Sequence, residues 1–311
     1  MDSLSQLVQN LDPAGTVELH CRYAGGWSVH NLPTRRGYLP YHVVLQGHAR
    51  LRAGGEELTL ASGDVVVFPR GIEHTLLSEL PPDDGDEVEE TRSFNGVLVE
   101  VSRGGEGPAF DMLCGSFLLG DSGSALLRTL PDVVIVHTAD RPALLAVVAM
   151  MRAESVEPRP GSVAVVRELS TALFTLVLRS LMADRALATG VLALMADTRL
   201  ARVVEAVLKT PATPWTLVDL AGLALMSRAT FARQFAQLSG MTPMEWVTQV
   251  RMELAARLLV REKLTAGQVA ERCGYASEAA FGRIFRRHHG ASPGVFRREF
   301  QRARSTAAPG A

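Results

Sequence analysis

The chain lacks the features that mark secreted, disulfide-rich and membrane-embedded proteins. Its 311 residues include only three cysteines. Their odd number and wide spacing argue against a disulfide framework and for a reducing compartment. No apolar run approaches the ~20 residues needed to cross a bilayer, and the first residues lack the basic and apolar segments of a signal peptide. The sequence therefore predicts a cytoplasmic protein without membrane contact, long enough for two domains.

A strong net charge is also missing, but the charge is unevenly distributed. The whole chain has a formal net charge of −1. From Ala196 to the end it contains 17 Lys plus Arg and 9 Asp plus Glu, a net charge of +8, so the preceding part carries −9. A basic part joined to an acidic part is typical of a nucleic-acid-binding module fused to a second domain.

The basic part contains an internal repeat, which indicates its architecture. Six anchors (Ser, Phe, Arg, Phe, Gly, Pro) occur between Ser227 and Pro243 and again, 50 positions later, between Ser277 and Pro293. The serine suits a helix N-cap, phenylalanines four residues apart share a buried face, the glycine suits a helix C-terminus and the proline begins the next helix. Each copy, with the shorter helix before it, predicts a helix-turn-helix unit, at about 216–239 and 265–289.

The exposed face of each repeated helix is predicted to enter the major groove of DNA, where residues near a helix N-terminus reach base edges. The matched positions are Arg228, Ala229, Thr230 and Arg233 in the first copy and Glu278, Ala279, Ala280 and Arg283 in the second. Each of Arg233 and Arg283 can donate two hydrogen bonds to a guanine. Glu278 either accepts from a cytosine amino group or complements the helix dipole.

Further arginines are candidates for contacts with DNA phosphates, which add affinity but no sequence preference. They are Arg286, Arg287, Arg297, Arg298, Arg302 and Arg304. The alternative for each is a solvated surface arginine. Between the two units, Pro243 to about Val260 reads as one amphipathic helix. A helix of that length is a rigid spacer between the two recognition helices.

Residues 199–300 resemble the DNA-binding domain of the AraC/XylS family of bacterial transcription regulators. The resemblance is carried by Trp215-Thr216-Leu217, Leu220-Ala221, Ser227-Arg228, Phe231-Ala232-Arg233-Gln234-Phe235, Gly240-Met241-Thr242-Pro243, Arg251-Met252, Val269-Ala270, Gly274-Tyr275, Phe281, Phe285 and Ser292-Pro293. It implies a monomeric seven-helix domain that binds double-stranded promoter DNA and usually activates transcription by contacting RNA polymerase. Such a protein is expected at the nucleoid.

Residues 1–140 are predicted to form a small β barrel, because short β-branched runs alternate with glycine and proline turns. Gly54-Gly55 predicts a hairpin, and the segment from Gly63 to His74 resembles the second cupin motif, with Ser78 in the place of its final Asn. The first cupin motif, which supplies His-X-His and Glu as metal ligands, is missing. Only His42 and His48 lie near its place.

The N-terminal part also resembles a subgroup of this family that responds to reactive chlorine species. The matching residues are Met1-Asp2-Ser3-Leu4-Ser5, Cys21, Trp27 to His30, Gly47, Gly63-Asp64, Pro69, His74, Leu113-Cys114-Gly115 and Leu130-Pro131. The resemblance implies that Cys21 is a redox-sensing thiol. A reactive thiol is expected to be partly exposed and near positive charge.

Chemistry alone leaves three roles open for Cys21. It is a reactive thiol that meets an oxidant or a small-molecule effector, a ligand of a zinc site together with His42 and His74, or a plain buried thiol. Cys114 and Cys273 are predicted to lie in hydrophobic cores.

Residues 141–190 are predicted to hold a pair of helices, Pro142–Glu157 and Ser162–Asp184, with Thr189 to Leu200 as a connection. Their apolar stripes are Leu144, Val147, Val148, Met151 and Leu169, Leu173, Leu176, Leu181. The stripes predict either a homodimer interface or packing within the chain. Residues 79–90 are expected to be a mobile acidic loop and 305–311 a flexible tail.

Together these patterns predict an α+β protein: a cupin-like barrel at 1–140, a helical pair at 141–190 and an all-α DNA-binding domain at 191–304. The predicted function is sequence-specific DNA binding by a regulator, most simply an activator, whose barrel senses a signal. The alternatives are a metal-dependent cupin enzyme fused to a DNA-binding module, a regulator that senses a small organic ligand, and an architectural protein that coats the chromosome. The missing His-X-His-Glu set argues against the enzyme, and two unlike recognition helices argue against the architectural protein.

Overall fold

The computed structural model describes residues 2–35, 37–81, 90–119, 129–184 and 189–306. The chain divides into two compact units. The barrel unit comprises Asp12–Ser124 and Leu130–Ala186, and the helical unit comprises Met1–Leu11, Ala125–Thr129 and Leu187–Ala311. The acidic loop predicted at 79–90 lies mostly outside the described residues, as does most of the predicted C-terminal tail.

The barrel unit is built from two facing β sheets. Its described strands are β1 (Ala14–Ala24), β2 (Ser28–Asn31), β3 (Tyr38–Gln46), β4 (His48–Ala53), β5 (Glu56–Ala61), β6 (Asp64–Val67), β7 (His74–Leu77), β8 (Glu90–Phe94), β9 (Val99–Arg103), β10 (Ala109–Leu118) and β11 (Val134–His137). The larger sheet has the order β11-β6-β3-β10-β1-β9-β8, and the smaller one β2-β7-β4-β5. The predicted hairpin at Gly54-Gly55 joins β4 to β5.

The long central strands β1 and β10 contribute many of the residues that face the interior of the barrel. They pair antiparallel, and β10 pairs antiparallel with β3 on its other side. A bulge between Val17 and Leu19 shifts the register of β1, so Cys21 and Tyr23 face the core. Bulges increase local twist and re-aim side chains. Trp27 fills the core beside Tyr23 and Phe110, with ring centroids 5.0 and 4.9 Å away.

Two antiparallel helices complete the barrel unit. These are α2 (Pro142–Val156) and α3 (Ser162–Ala183), which agree with the predicted pair. The stripe Leu144, Val147, Val148 and Met151 is buried, and so are Leu173 and Leu181, while Leu169 and Leu176 are partly covered. Because α3 packs on β1 and α2 packs on α3, the apolar stripes are covered inside the unit. This is the packing alternative, and it removes these residues from a homodimer interface.

The helical unit is a succession of short helices. The described ones are α1 (Ser3–Leu11), α4 (Val191–Ala196), α5 (Thr198–Lys209), α6 (Leu217–Leu223), α7 (Arg228–Ser239), α8 (Pro243–Arg261), α9 (Ala266–Arg272), α10 (Glu278–His289) and α11 (Pro293–Thr306). The helix α4 lies where a plain connection was predicted. Its residues from Val191 to Met195 are buried, and Asp197 caps the next helix by accepting from the backbone N–H groups of Arg199 and Leu200.

Helix α1 differs from the prediction, which assigned residues 1–140 to the barrel. It packs against α5 through its buried residues Leu4, Leu7 and Leu11. The guanidinium of Arg257 donates to the carbonyl oxygens of Gln9 and Asn10, at 3.2 and 3.0 Å. Residues 1–11 therefore belong to the helical unit. Among the described residues, no helix is long and apolar enough to cross a membrane.

Candidate DNA interface and thiol cluster

Each predicted helix-turn-helix unit is present, α6 with α7 and α9 with α10. Ser227 and Ser277 cap the second helices by accepting from the backbone N–H groups of Thr230 and Ala280. Gly240 and Gly290 end these helices in the left-handed conformation. Pairs of buried phenylalanines hold both helices on the core, and they are Phe231 with Phe235 and Phe281 with Phe285.

The two turns are built differently. In the second turn, Gly274 has a φ of +78°, and a Cβ atom there would lie 2.3 Å from the carbonyl oxygen of Ala212. Only glycine satisfies both demands. In the first turn the left-handed position is occupied by Leu225, with a φ of +54° and an exposed side chain. The first unit therefore carries backbone strain that the second avoids.

The residues predicted to contact bases lie together on the outer faces of α7 and α10. Arg228, Ala229 and Arg233 are exposed, and so are Glu278, Ala279 and Arg283. Thr230 and Ala280 are partly buried at matching positions. Thr230 also accepts a hydrogen bond from the Ser227 hydroxyl at 3.0 Å. The repeat thus presents two equivalent faces with different chemistry, one carrying two arginines and the other one glutamate and one arginine.

The predicted phosphate contacts separate into two groups. Arg286, Arg287 and Arg298 are exposed. Arg297 is different, because its Nε donates to the carbonyl oxygen of Leu259 at 2.9 Å and its Nη2 donates to that of Leu264. Its guanidinium therefore fastens α11 to the end of α8 instead of pointing at DNA. The side chain of Arg304 lies outside the described residues.

The neighbouring pair Arg297 and Arg298 allows the two roles to be separated. We expect Arg297→Ala to lower the free energy of unfolding by about 1.5–3 kcal/mol, because two charged hydrogen bonds to carbonyls are lost. We expect Arg298→Ala to leave stability unchanged and to reduce the salt dependence of DNA binding by about one phosphate contact. Thermal unfolding and binding titrations at several salt concentrations measure both effects, and an unchanged unfolding midpoint for Arg297→Ala would contradict the assignment.

The barrel holds a buried cluster of sulfur and imidazole groups. Cys21 on β1 and Cys114 on β10 are both buried, at 2% and 8% exposed. In the β1–β10 register Cys21 lies opposite Met112, and Leu19 lies opposite Cys114, so the two thiols are diagonal neighbours on one face of the sheet. Gly115 follows Cys114, where a Cβ atom would lie 2.0 Å from the carbonyl oxygen of Thr16. Glycine thus permits the close approach of the two strands.

Two histidines extend the cluster across the barrel. His42 Nδ1 lies 3.1 Å from Cys114 Sγ, and His42 Nε2 lies 2.8 Å from His74 Nε2. His74 Nδ1 lies 3.1 Å from the carbonyl oxygen of Ile72, and the His74 ring stacks on Phe68 with centroids 3.7 Å apart. The groups form one continuous hydrogen-bonded chain from Cys114 to the carbonyl oxygen of Ile72.

The surroundings shift the pKa values of the two thiols in opposite directions. Interactions with Cys114 and Tyr23 lower the pKa of Cys21, although its burial and the nearby Glu90 oppose this, and Arg92 offsets Glu90 only in part. The hydrogen bond to Cys21 and burial raise the pKa of Cys114 well above its usual value. A lowered pKa favours the thiolate, which is the reactive form of a cysteine.

The expected environment of Cys21 is only partly present. It is 2% exposed, whereas a partly exposed thiol was predicted. Its neighbour Arg22 points outward, with Nη2 3.6 Å from Glu100, and His20 contacts Asp111 at 2.6 Å on the opposite face. The lowering of the Cys21 pKa is therefore not caused by its immediate neighbours His20 and Arg22.

A zinc site made of Cys21, His42 and His74 does not fit this geometry. His42 uses one nitrogen toward Cys114 and the other toward His74, so Cys114 stands between it and Cys21. In the described part of the chain, no group of three or more His, Cys, Asp or Glu side chains is arranged to hold a metal ion. Ser78, at the place of the final Asn of the cupin motif, bonds to the backbone of Trp27 and Leu80 instead.

The residue that sequence reasoning missed is Cys114, which was assigned to a plain core. It is buried, but it links Cys21 to His42. The only local signal was the Cys-Gly pair, because a glycine inside a strand often marks a close backbone approach. Cys273 lies in a hydrophobic cluster of the helical unit as predicted, and burial raises its pKa to about 12.

Comparisons with known proteins agree with this division of the chain. A cupin family profile matches residues 2–183, and a helix-turn-helix domain profile matches residues 220–299. The RCS-specific HTH-type transcriptional activator RclR of Escherichia coli (strain K12) is 30% identical over 302 residues, covering 96% of this chain and 97% of that protein. The HTH-type transcriptional regulator MtrA of Neisseria gonorrhoeae is 32% identical over 304 residues, covering 96% and 99%.

Among solved structures, the DNA-binding domain of the global transcriptional factor AdpA, in complex with a target DNA, is 37% identical. It covers 35% of this chain and 96% of that one, with a TM-score of 0.33.

The fold and the exposed recognition helices define a transcription regulator with an N-terminal cupin domain and a C-terminal pair of helix-turn-helix units. The chain belongs to the AraC/XylS family of transcription regulators. Its helical unit, which contains the helix-turn-helix domain, is the part that binds double-stranded DNA.

Proposed function

We propose that this regulator activates transcription in response to an oxidant of the hypochlorous acid class, sensed by Cys21 with Cys114 as its partner. The observation that carries the proposal is the pair of buried thiols at diagonal positions on adjacent strands, with Cys114 Sγ 3.1 Å from His42 Nδ1. The name of the E. coli relative, an RCS-specific activator, supports the choice of oxidant.

The chemistry is a two-electron oxidation of two thiols to a disulfide. The Cys21 thiolate attacks the chlorine of hypochlorous acid, so that an S–Cl bond forms, the O–Cl bond breaks and hydroxide leaves. Cys114 then attacks the sulfur of Cys21, the S–S bond forms and chloride leaves. The proton of Cys114 neutralises the hydroxide. Both electrons come from sulfur, and the chlorine is reduced to chloride.

The position of the pair suggests how oxidation changes the barrel. Diagonal neighbours in an antiparallel sheet lie roughly 7–8 Å apart, whereas the Cα atoms of a disulfide are usually about 4.4–6.8 Å apart. The new bond therefore draws β1 and β10 together at Gly115. Helix α3 packs directly on β1. A shift of β1 on disulfide formation therefore also moves the helical pair of the barrel unit.

In the DNA-binding unit we assign base contacts to the outer faces of α7 and α10, namely Arg228, Ala229, Thr230, Arg233, Glu278, Ala279, Ala280 and Arg283. It assigns phosphate contacts to Arg286, Arg287 and Arg298. RNA polymerase is the proposed downstream partner. A second copy of the chain is a further proposed partner, supported by the exposed apolar side chains of Leu145, Met150 and Val156 on the outer face of α2.

Mass spectrometry of the full-length protein before and after hypochlorite tests the sensing chemistry. We expect stoichiometric oxidant to produce a peptide pair linked by Cys21 and Cys114, with loss of two hydrogens and with Cys273 still a free thiol. Dithiothreitol should reverse the change. Recovery of both thiols unchanged, or oxidation of Cys273 alone, would refute the proposed sensor.

A further inference from the structure

We infer that His42 is the base that takes the proton from Cys114 as the disulfide forms, and that His74 receives this proton in turn and releases it at the barrel surface. The inference rests on the proposed function, because it supplies a path for the proton that the second step must remove. The juxtaposition that carries it is the unbroken chain from Cys114 Sγ through both nitrogens of His42 to His74.

The direction of the hydrogen bonds follows from one fixed acceptor. The carbonyl oxygen of Ile72 can only accept, so His74 Nδ1 carries a hydrogen and donates to it. In the neutral ring His74 Nε2 is then an acceptor, and the proton between the two rings belongs to His42 Nε2. Neutral His42 is left with a lone pair on Nδ1, which faces the Cys114 thiol at 3.1 Å. The resting tautomers therefore place a base against the thiol that must lose a proton.

Two histidines are needed because charge is unfavourable both on the Cys114 thiol and on the His42 ring. Burial and the adjacent His74 lower the pKa of His42 to about 3, so an imidazolium at His42 is unfavourable. If His42 takes a proton on Nδ1 while it passes its Nε2 proton to His74, the His42 ring stays neutral throughout. The charge then appears on His74 only. Cys114, whose pKa is raised by Cys21 and burial, is never required to ionise alone.

The hydrogen-bonded chain ends at His74, beside a cavity that can take up the released proton. His74 lines a cavity of about 370 Å³ that is also lined by Glu56, Glu57 and Glu73. Burial lowers the pKa of His74, the hydrogen bond to Ile72 raises it, and the nearby His30 lowers it. The proton is therefore held only briefly and passes to solvent in the cavity.

No other described group contacts the relay in a way that replaces it. Phe68 covers both rings, with an edge contact to His42 and a stacked contact to His74. His30 lines the same cavity, but its Nδ1 contacts the Thr75 hydroxyl at 3.1 Å and is not part of the chain. His30 is thus a matched control for the loss of an imidazole in this region.

Rapid mixing of the full-length protein with hypochlorite, followed by acid quenching and mass spectrometry, separates the two steps. In His42→Asn we expect Cys21 to be oxidised at the wild-type rate and the disulfide to form about 100-fold more slowly, the lower end of general-base effects. His74→Gln should also slow the second step, because an amide accepts a hydrogen bond but not a proton. His30→Gln should behave as the wild type.

The pH profile distinguishes a base from a structural support. In the wild type the second step should be independent of pH between about 6 and 8, since His42 stays neutral there. In His42→Asn it should rise about tenfold per pH unit, because only the small thiolate fraction of Cys114 reacts. If His42→Asn does not fold, as judged by circular dichroism, His74→Gln carries the same test.

The outcomes separate this inference from the proposed function. A wild-type protein that forms no Cys21–Cys114 disulfide overturns the proposed sensor and the relay with it. A wild-type protein that forms the disulfide, with His42 and His74 variants that form it equally fast and with a flat pH profile, overturns the relay alone.

Discussion

Replacing Cys21 with serine is expected to abolish the response to hypochlorite and to leave the affinity of the reduced protein for DNA unchanged. The hydroxyl of serine is not a nucleophile toward chlorine at neutral pH, and no other described cysteine shares a hydrogen bond with Cys114. The recognition helices belong to the other compact unit, so their contacts persist. Binding and transcription from a template carrying a selected site, with and without oxidant, measure both halves of the prediction.

Two further variants control this experiment. Cys114→Ser should still be oxidised at Cys21 but should not form the internal disulfide. Its transcriptional response to hypochlorite should therefore be weaker than that of the wild type. Cys273→Ala removes the buried thiol of the helical unit and should respond as the wild type does. A Cys21→Ser protein with a full oxidant response would end the proposal of a thiol sensor at this position.

Replacing either Arg233 or Arg283 with alanine is expected to relax base preference and to cost roughly 1–3 kcal/mol of binding free energy on the preferred site. Both guanidinium groups are exposed at matching positions of α7 and α10, and a bidentate contact with guanine is their strongest mode of base recognition. The loss should appear at different base pairs for the two variants, because the two helices read different parts of the site.

The measurement is competitive binding at one fixed salt concentration, with a selected duplex and a random duplex. Arg298→Ala is the matched control, since an exposed phosphate contact should weaken binding to both duplexes equally. An equal loss on both duplexes for Arg233→Ala and Arg283→Ala would show that these residues contact only the backbone.

The helix-turn-helix units could be predicted in detail because their signals are local. Ser227 and Ser277 cap their helices, and the following glycines and prolines end and begin helices, within a few residues of one another in sequence. The phenylalanine pairs follow from helical periodicity alone. The contacts of Arg297 could not be predicted for the opposite reason, because its partners Leu259 and Leu264 lie more than 30 residues away.

The thiol cluster could be predicted only in part. Cys21, His42 and His74 were singled out from residue type and motif, but the member that joins them, Cys114, is 93 positions from Cys21. The pairing of β1 with β10, and the bulge that turns Cys21 inward, depend on the whole sheet. No pattern within a single segment specifies such a register. The grouping of α1 with the helical unit could not be predicted for the same reason. Its contact with Arg257, which donates to the carbonyl oxygen of Asn10, joins residues that are far apart in sequence.

The exposed faces of the two recognition helices differ, so we expect the protein to bind its DNA site in one orientation. A symmetric regulator with two identical recognition helices binds a palindromic site, which is the same in both orientations. Here one helix presents Arg228 and Arg233 and the other presents Glu278 and Arg283, with the single helix α8 between them. An operator inverted end for end is then a different ligand. On the proposed base contacts, the order of the two helices in each copy of the chain sets its orientation relative to a gene.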